Sequence, residues 1–167
     1  MTTNIHYIEK DITTVEKGII AHGCNCQGVM GSGVAFFLKE KYPQIFLKYK
    51  ELCDKSGESL LGLTDFVHVH WNEHDQPDII VANCFTQNLY GKNGKYAIPD
   101  AIYTSLYEVC TMSSVLSKRY DTPYSVYIPK IGAGRGGLDW TTEVEPIIRI
   151  LAIEFNQLNI YVCSWAE

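Results

Sequence analysis

At 167 residues, with 46% hydrophobic and 20% charged residues, the chain has the composition of a globular domain whose core needs no disulfide staples. Its formal charge of −5 argues against broad nucleic-acid binding, because neutralising phosphates takes clustered Lys and Arg; an anionic small molecule held by backbone N–H groups is still allowed. No apolar run approaches the roughly 18 residues of a membrane span, and Met1-Thr2-Thr3-Asn4 lacks the layout of a leader peptide, so a cytoplasmic monomer with one domain over 1–167 is the expectation.

In chain order, Asn4–Glu9 alternates as a strand, and Gly18–His22 is an apolar run that ends in a glycine-rich loop. Val34, Ala35, Leu38 and Tyr42 then share a helix face. After Pro43, Ile45, Phe46, Tyr49, Leu52 and Cys53 form a second helical stripe. Phe66–Trp71 and Ile79–Cys84 read as strands joined by the Asp75-Gln76-Pro77-Asp78 turn. Asn88–Lys95 is a polar, mobile-looking loop. Pro99 opens a long helix that carries Ile98, Ile102, Leu106, Val109 and Leu116 inward. Tyr124–Pro129 is a strand feeding a second glycine loop. Thr142 and Glu145 have capping-box spacing ahead of a helix with Val144, Ile147, Ile148, Leu151, Ala152 and Phe155 on one face, and Leu158–Cys163 closes as a buried strand. Strands alternating with helices predict an α/β fold, a three-layer α/β/α sandwich around a mixed β-sheet with parallel strands.

Eight of the thirteen glycines fall in two loops, each lying between a strand-like run and a helix. The first runs from Gly23 to Gly33 and ends Gly31-Ser32-Gly33; the second reads Ile131-Gly132-Ala133-Gly134-Arg135-Gly136-Gly137-Leu138-Asp139-Trp140. A residue without Cβ lets backbone N–H groups approach a ligand, and a helix start adds unpaired N–H groups and the positive dipole end, so each loop suits a phosphate or pyrophosphate. Neither matches a Walker A motif, and no ribose-binding acid follows the first at about 20 residues. The six cysteines lack paired zinc spacing and read as reduced. His68 and His70 share a strand face, yet with no nearby carboxylate or Cys pattern an edge-strand face is favoured over a metal site. No metal or cofactor is expected.

Three motifs, Asp11-Ile12-Thr13, His22-Gly23-Cys24-Asn25-Cys26 with Gly31-Ser32-Gly33-Val34-Ala35, and Pro129-Lys130-Ile131-Gly132-Ala133-Gly134, together resemble the macrodomain, an ADP-ribose-binding family. Ile20-Ala21-His22-Gly23-Cys24-Asn25-Cys26, Lys41-Tyr42-Pro43 and Leu60-Leu61-Gly62 are similar to its ADP-ribose-1''-phosphate phosphatase branch. The resemblance implies that Asp11 accepts from the adenine amine beside the Ile12 backbone and that Asn25 contacts the distal ribose. Gly31, Ser32, Gly33 and Val34 then line one side of the diphosphate, and Ile131, Gly132, Ala133, Gly134, Arg135 and Gly136 the other. Each role has a rival: Asp11 as a turn residue, Asn25 as a brace of its own loop, Arg135 as a solvated side chain.

His22 stands where the phosphatase branch has its histidine, so it is the first catalytic candidate; a histidine merely held at a strand end is the alternative. Asp139 is the second, as general acid or water-orienting base, or else as a helix N-cap. Macrodomains that remove ADP-ribose from glutamate use a lysine and an aspartate, and Gly136 occupies the aspartate position here, while Lys92 and Lys95 lie where a lysine can serve. Tyr90 and Tyr96 either cover the ribose or pack their loop, and Trp165 either stacks on adenine or packs on the surface. The expected activity is hydrolysis of the terminal phosphate of ADP-ribose 1''-phosphate. The alternatives are an ADP-ribosyl hydrolase acting on modified protein or nucleic acid, and a non-catalytic ADP-ribose reader.

Overall fold

The computed structural model describes residues 4–165; residues 1–3, which entered the leader-peptide reading, and 166–167 lie outside the described residues. Six strands form one sheet: β1 Ile5–Glu9, β2 Gly18–Cys24, β3 Thr64–Trp71, β4 Pro77–Phe85, β5 Val126–Ile128 and β6 Ile160–Ser164, in spatial order β1-β6-β5-β2-β4-β3. All neighbours are parallel except β3, which returns antiparallel along β4. The mixed sheet lies between two helical layers, as the alternating pattern predicts.

The central strand β2 is buried along almost its whole length because both of its faces are covered, the usual state of a parallel strand. Side chains alternate between the layers. Ile19 and Ala21 join the core under α3 (Pro99–Tyr120) and α4 (Glu145–Glu154), with Ile102, Leu106, Val109, Ile148 and Leu151. Ile20 and Cys24 join the opposite core under α1 (Gly33–Lys41) and α2 (Gln44–Ser56), with Leu38, Ile45, Tyr49 and Cys53. Pro43 separates α1 from α2, since it lacks an N–H and pushes Tyr42 out of the helical region, to φ −125° and ψ 77°. All six cysteines are free and buried. No described helix is long and apolar enough to cross a membrane.

Four expectations need correction. β2 runs two residues past His22, to Cys24, because β4 pairs with it that far. Ile98 is exposed rather than inward, because it caps α3 ahead of Pro99. The capping pair of the last helix is not Thr142 with Glu145: Asp139 Oδ1 accepts from the Thr142 N–H at 2.9 Å, and Glu143 Oε2 accepts from the Asp139 N–H at 2.6 Å. A wide π-type turn, Trp140–Val144, therefore precedes α4 and shifts the start upstream. Finally, 88–95 is tied at both ends rather than loose. Cys26 N donates to Asn88 O, Gln87 pairs with Ala97, and the Tyr96 and Ala97 N–H groups both donate to Gly136 O at 2.8 and 3.0 Å. It is a strap between the two glycine loops.

α3 ends at Asp121 in the left-handed region, φ 49° and ψ 47°, where a side chain with Cβ is strained and glycine is not. Asp121→Gly is expected to raise unfolding stability by about 0.5–1 kcal/mol, read from the urea midpoint at unchanged m.

Candidate functional site

The strands β5, β2 and β4 are adjacent and parallel, so their carboxyl ends open on the same edge of the sheet. The loops that follow them enclose a cleft of about 1070 Å³. Loop one supplies Gly23 to Asn25, Val29 and Gly31 to Ala35; the strap supplies Thr86, Gln87 and Tyr90 to Lys92; loop two supplies Pro129 to Gly132 and Gly134 to Gly136. Ligands of open α/β sheets bind in such a crevice.

The cleft is rich in backbone donors without partners. Ser32 is the N-cap of α1 but its side chain makes no capping bond, so the first-turn N–H groups of Gly33, Val34 and Ala35 face the cleft unspent. Gly33 sits at φ +64°, a conformation that admits glycine, with no protein atom within 4 Å of where a Cβ would stand. In loop two, the Gly134, Arg135 and Gly136 N–H groups donate to no backbone carbonyl among the described residues. Two sets of N–H groups without backbone partners thus border the cleft, together with a helix dipole end.

Charge in the cleft is one-sided. Lys92, Lys130 and Arg135 line it and no Asp or Glu does, although the chain carries five more acidic than basic residues. Lys95 does not line the cleft; its ammonium is 2.8 Å from Glu143 Oε1. Of the predicted site residues, His22, Asn25, Gly31, Ser32, Gly33, Val34, Ile131, Gly132, Gly134, Arg135 and Gly136 come together in the lining.

Five others do not line it. Ala133 lies in the second loop but outside the lining. Asp139 lies elsewhere, with Oδ1 accepting from the Thr142 N–H and hydroxyl, and those bonds hold its carboxyl below the ordinary aspartate value. Of its two readings the structure displays the N-cap, and a carboxyl so lowered is a poor proton donor at neutral pH. Asp11, Ile12 and Trp165 sit beyond the cleft on the same sheet edge, where β1 and β6 end. Asp11 Oδ1 accepts from Thr13 N and Oγ1, Ile12 is buried, and Trp165 is 61% exposed beside Phe37 of α1, ring centroids 6.4 Å apart. These residues make an open shelf alongside the cleft.

Asn25 braces its own loop. Its Oδ1 accepts from Gln27 N and Val29 N, its Nδ2 donates to Val29 O at 2.8 Å, and the buried Tyr49 hydroxyl reaches both its oxygens. Cys24 and Cys26 are not nucleophiles, since burial pushes both thiols up, that of Cys26 to about 11. His70 pairs with Asp78 and His68 stacks on Trp71, with a bulge between them. Among the described residues no three His, Cys, Asp or Glu converge as metal ligands.

His22 lies at the floor with 1% of its surface exposed; burial lowers its pKa to about 4, partly offset by Nε2 bonding Asn83 Oδ1 at 2.6 Å. The imidazole is therefore neutral at pH 7. Sequence reading missed Asn83, Thr86 and Gln87. Thr86 is buried in the lining and its Oγ1 has no partner among the described residues. The available signal was polar residues continuing a fully apolar strand.

Two outcomes follow from this geometry. A Cβ on Gly136 would stand 2.6 Å from Gly132 O and 2.8 Å from Ala97 Cβ, so Gly136→Ala is expected to cost about 1–3 kcal/mol, measured by denaturant unfolding. The unfolded chain takes up a proton near pH 6.5 that folded His22 refuses until about pH 4, so stability falls as pH drops through that window. The loss approaches 3 kcal/mol in order of magnitude, and His22→Gln is expected to lose less stability between pH 7.5 and 4.5 than the wild type does.

The macro domain family model matches residues 21–147. The "DNA ADP-ribosyl glycohydrolase" of Mycobacterium tuberculosis is 32% identical over 92% of this chain, which spans 39% of that protein's length. The "ADP-ribose 1''-phosphate phosphatase" of Candida albicans is 29% identical over 95% of this chain and 99% of that protein. A solved macrodomain protein from Streptomyces coelicolor superposes with a TM-score of 0.73 at 27% identity, covering 97% of this chain and 99% of that one. With the family model spanning both glycine loops and about three quarters of the sequence, this chain belongs to the macrodomain family.

Proposed function

We propose that this protein hydrolyses the terminal phosphate of ADP-ribose 1''-phosphate, giving ADP-ribose and inorganic phosphate. The observation that carries the reading is the sign of the cleft: two N–H clusters and three cations, with no carboxylate in the lining. Phosphoryl transfer builds and spreads negative charge on equatorial oxygens, which such a lining stabilises. Cleavage of a glycosidic bond passes through an oxocarbenium-like centre and is ordinarily served by a carboxylic acid and a carboxylate, neither of which this lining supplies.

In this reading the diphosphate lies between Gly31-Ser32-Gly33-Val34 and the second glycine loop. The adenine reaches over the shelf to Asp11, Ile12 and Trp165, and the 1''-phosphate faces Arg135. Thr86 Oγ1, otherwise without a partner, bonds the distal ribose or the attacking water. His22, neutral at pH 7, accepts the water proton as oxygen attacks phosphorus; the phosphate dianion beside it raises its basicity during that step. The bond from phosphorus to the ribose oxygen breaks, and that oxygen takes a proton from solvent. Asp139, spent on its cap, has no part.

A second reading, release of ADP-ribose from modified DNA, is favoured by Lys92 in the lining and by the mycobacterial relative's name. Gly136, crowded by Gly132 O and Ala97 Cβ, leaves no room for the aspartate of the lysine–aspartate pair, which counts against release of ADP-ribose from glutamate. Phosphate release from ADP-ribose 1''-phosphate decides between them. His22→Ala is expected to lower kcat by about 10²–10⁴ while ADP-ribose affinity by calorimetry is kept. Wild type that releases no phosphate but frees ADP-ribose from ADP-ribosylated DNA would establish the second reading instead.

A further inference from the structure

Three polar side chains stand in a row across the sheet, inside an otherwise apolar layer. His22 of β2 is in register with Asn83 of β4, and Asn83 is in register with Asp65 of β3. All three are buried, on the face that carries Ile20, Val81 and Phe85 toward α2. An apolar trio of similar volume would serve packing at least as well, since buried polar groups recover their desolvation only when fully bonded. The row ends at the surface, where Lys48 Nζ of α2, 62% exposed, is 2.9 Å from the buried Asp65 Oδ1.

We infer that Asn83 is a positioning residue that holds His22 as the Nε2–H tautomer and leaves Nδ1 as the lone-pair nitrogen, with Asp65 and Lys48 fixing which way the Asn83 amide faces. The bonds require it in turn. Asn83 Nδ2 donates to two acceptors, Ile45 O at 3.1 Å and Asp65 Oδ2 at 3.4 Å. Reversing the amide would set its carbonyl oxygen against another carbonyl and a carboxylate. The carbonyl oxygen is therefore the atom 2.6 Å from His22 Nε2, and it can only accept, so Nε2 carries the hydrogen. A neutral imidazole has one N–H, which leaves Nδ1 bare. The Cys24 thiol stands 3.8 Å from Nδ1 and 3.7 Å from Nε2, a weak donor that leaves the Nδ1 lone pair available.

The Asp65 carboxylate acts through Asn83 rather than on the ring. Its Oδ2 accepts from the amide N–H side, and Lys48 Nζ stands 2.9 Å from its other oxygen. The catalytic consequence rests on the reading of His22 as proton acceptor: with the tautomer fixed, Nδ1 is the nitrogen that takes the water proton. The tautomer itself does not rest on that reading, and the two separate in experiment.

Long-range ¹H–¹⁵N spectra of the folded wild type at pH 7, with His22 assigned by its absence in His22→Gln, are expected to show a pyrrole-type Nε2 and a pyridine-type Nδ1. An Nδ1–H tautomer would overturn the inference, whatever the variants do. Asn83→Leu is expected to mix the two tautomers and lower kcat for phosphate release about tenfold or more with KM nearly unchanged; Asp65→Asn, which can still present an oxygen to Asn83 Nδ2, is expected to keep the wild-type tautomer. An Asn83→Leu protein that folds, retains a single Nε2–H form and keeps its kcat would also sink it. Should Asn83→Leu not fold, the wild-type spectrum still decides. A wild type with the Nε2–H form but no phosphate release supports the tautomer assignment and removes the phosphatase reading alone.

Discussion

Backbone N–H groups that the chain does not satisfy for itself are the constraint around which this molecule is arranged. A buried or half-buried donor without a partner is costly, and proteins ordinarily cap helix starts with the side chain of the N-cap residue. Ser32 occupies that position at α1 and makes no such bond, and the second loop leaves a run of N–H groups open across the cleft. Two sets of this kind are stable together only in water or against an anion. The rest of the site keeps them in place. Tyr49 and Asn25 lock the first loop from beneath, and the Tyr96 and Ala97 amides lock the second through Gly136 O. Holding the donors in position before ligand arrives removes an ordering cost from binding.

Charge distribution follows the same constraint. A chain with a net charge of −5 keeps its carboxylates out of the cleft and commits several to structural work elsewhere: Asp139 to a cap, Glu143 to Lys95 and the Asp139 N–H, Asp65 to Lys48. The cleft thus carries a local charge opposite in sign to that of the whole chain, which favours an anionic group there. The sheet order then sets the length of ligand that fits. The cleft spans β5, β2 and β4, and the shelf spans β1 and β6, so an elongated molecule with charge at one end and an aromatic group at the other matches the edge.

Much of this was legible in the residues, and the unread parts share a cause. Strands and helices announced themselves because their apolar periods were uninterrupted, and both glycine loops were found because glycine is rarely clustered without a backbone reason. The strap over 88–95 was misread as mobile because its anchors are backbone bonds to Asn88 O and Gly136 O, which leave no trace in side-chain composition. The Asp139 cap was one of two readings, and its partner Glu143 lies at a spacing set by a π-type turn rather than by a regular helix. Asn83 was hidden for a different reason. Ile79–Cys84 was read only as a strand, and it takes the register of three strands to set Asn83 between His22 and Asp65.

That register also shows how a buried histidine can be ordered and still keep one ring nitrogen free, as the proposed role of His22 requires. Burial alone would leave His22 neutral but free to adopt either tautomer, and a ring without a fixed tautomer spends part of its time with the wrong nitrogen protonated. Exposure would fix nothing and would return the pKa toward its ordinary value. Burial secures neutrality against the small opposing pull of the Asn83 bond, and the amide, its own orientation set by a carboxylate, sets the tautomer. The cost is a polar row inside a packed layer, carried by Lys48 reaching in from the surface to balance the one formal charge in it. A sheet suits this device better than a helix, because neighbouring strands hold register partners side by side across its face, and the row can run from the cleft floor to solvent without breaking a backbone hydrogen bond.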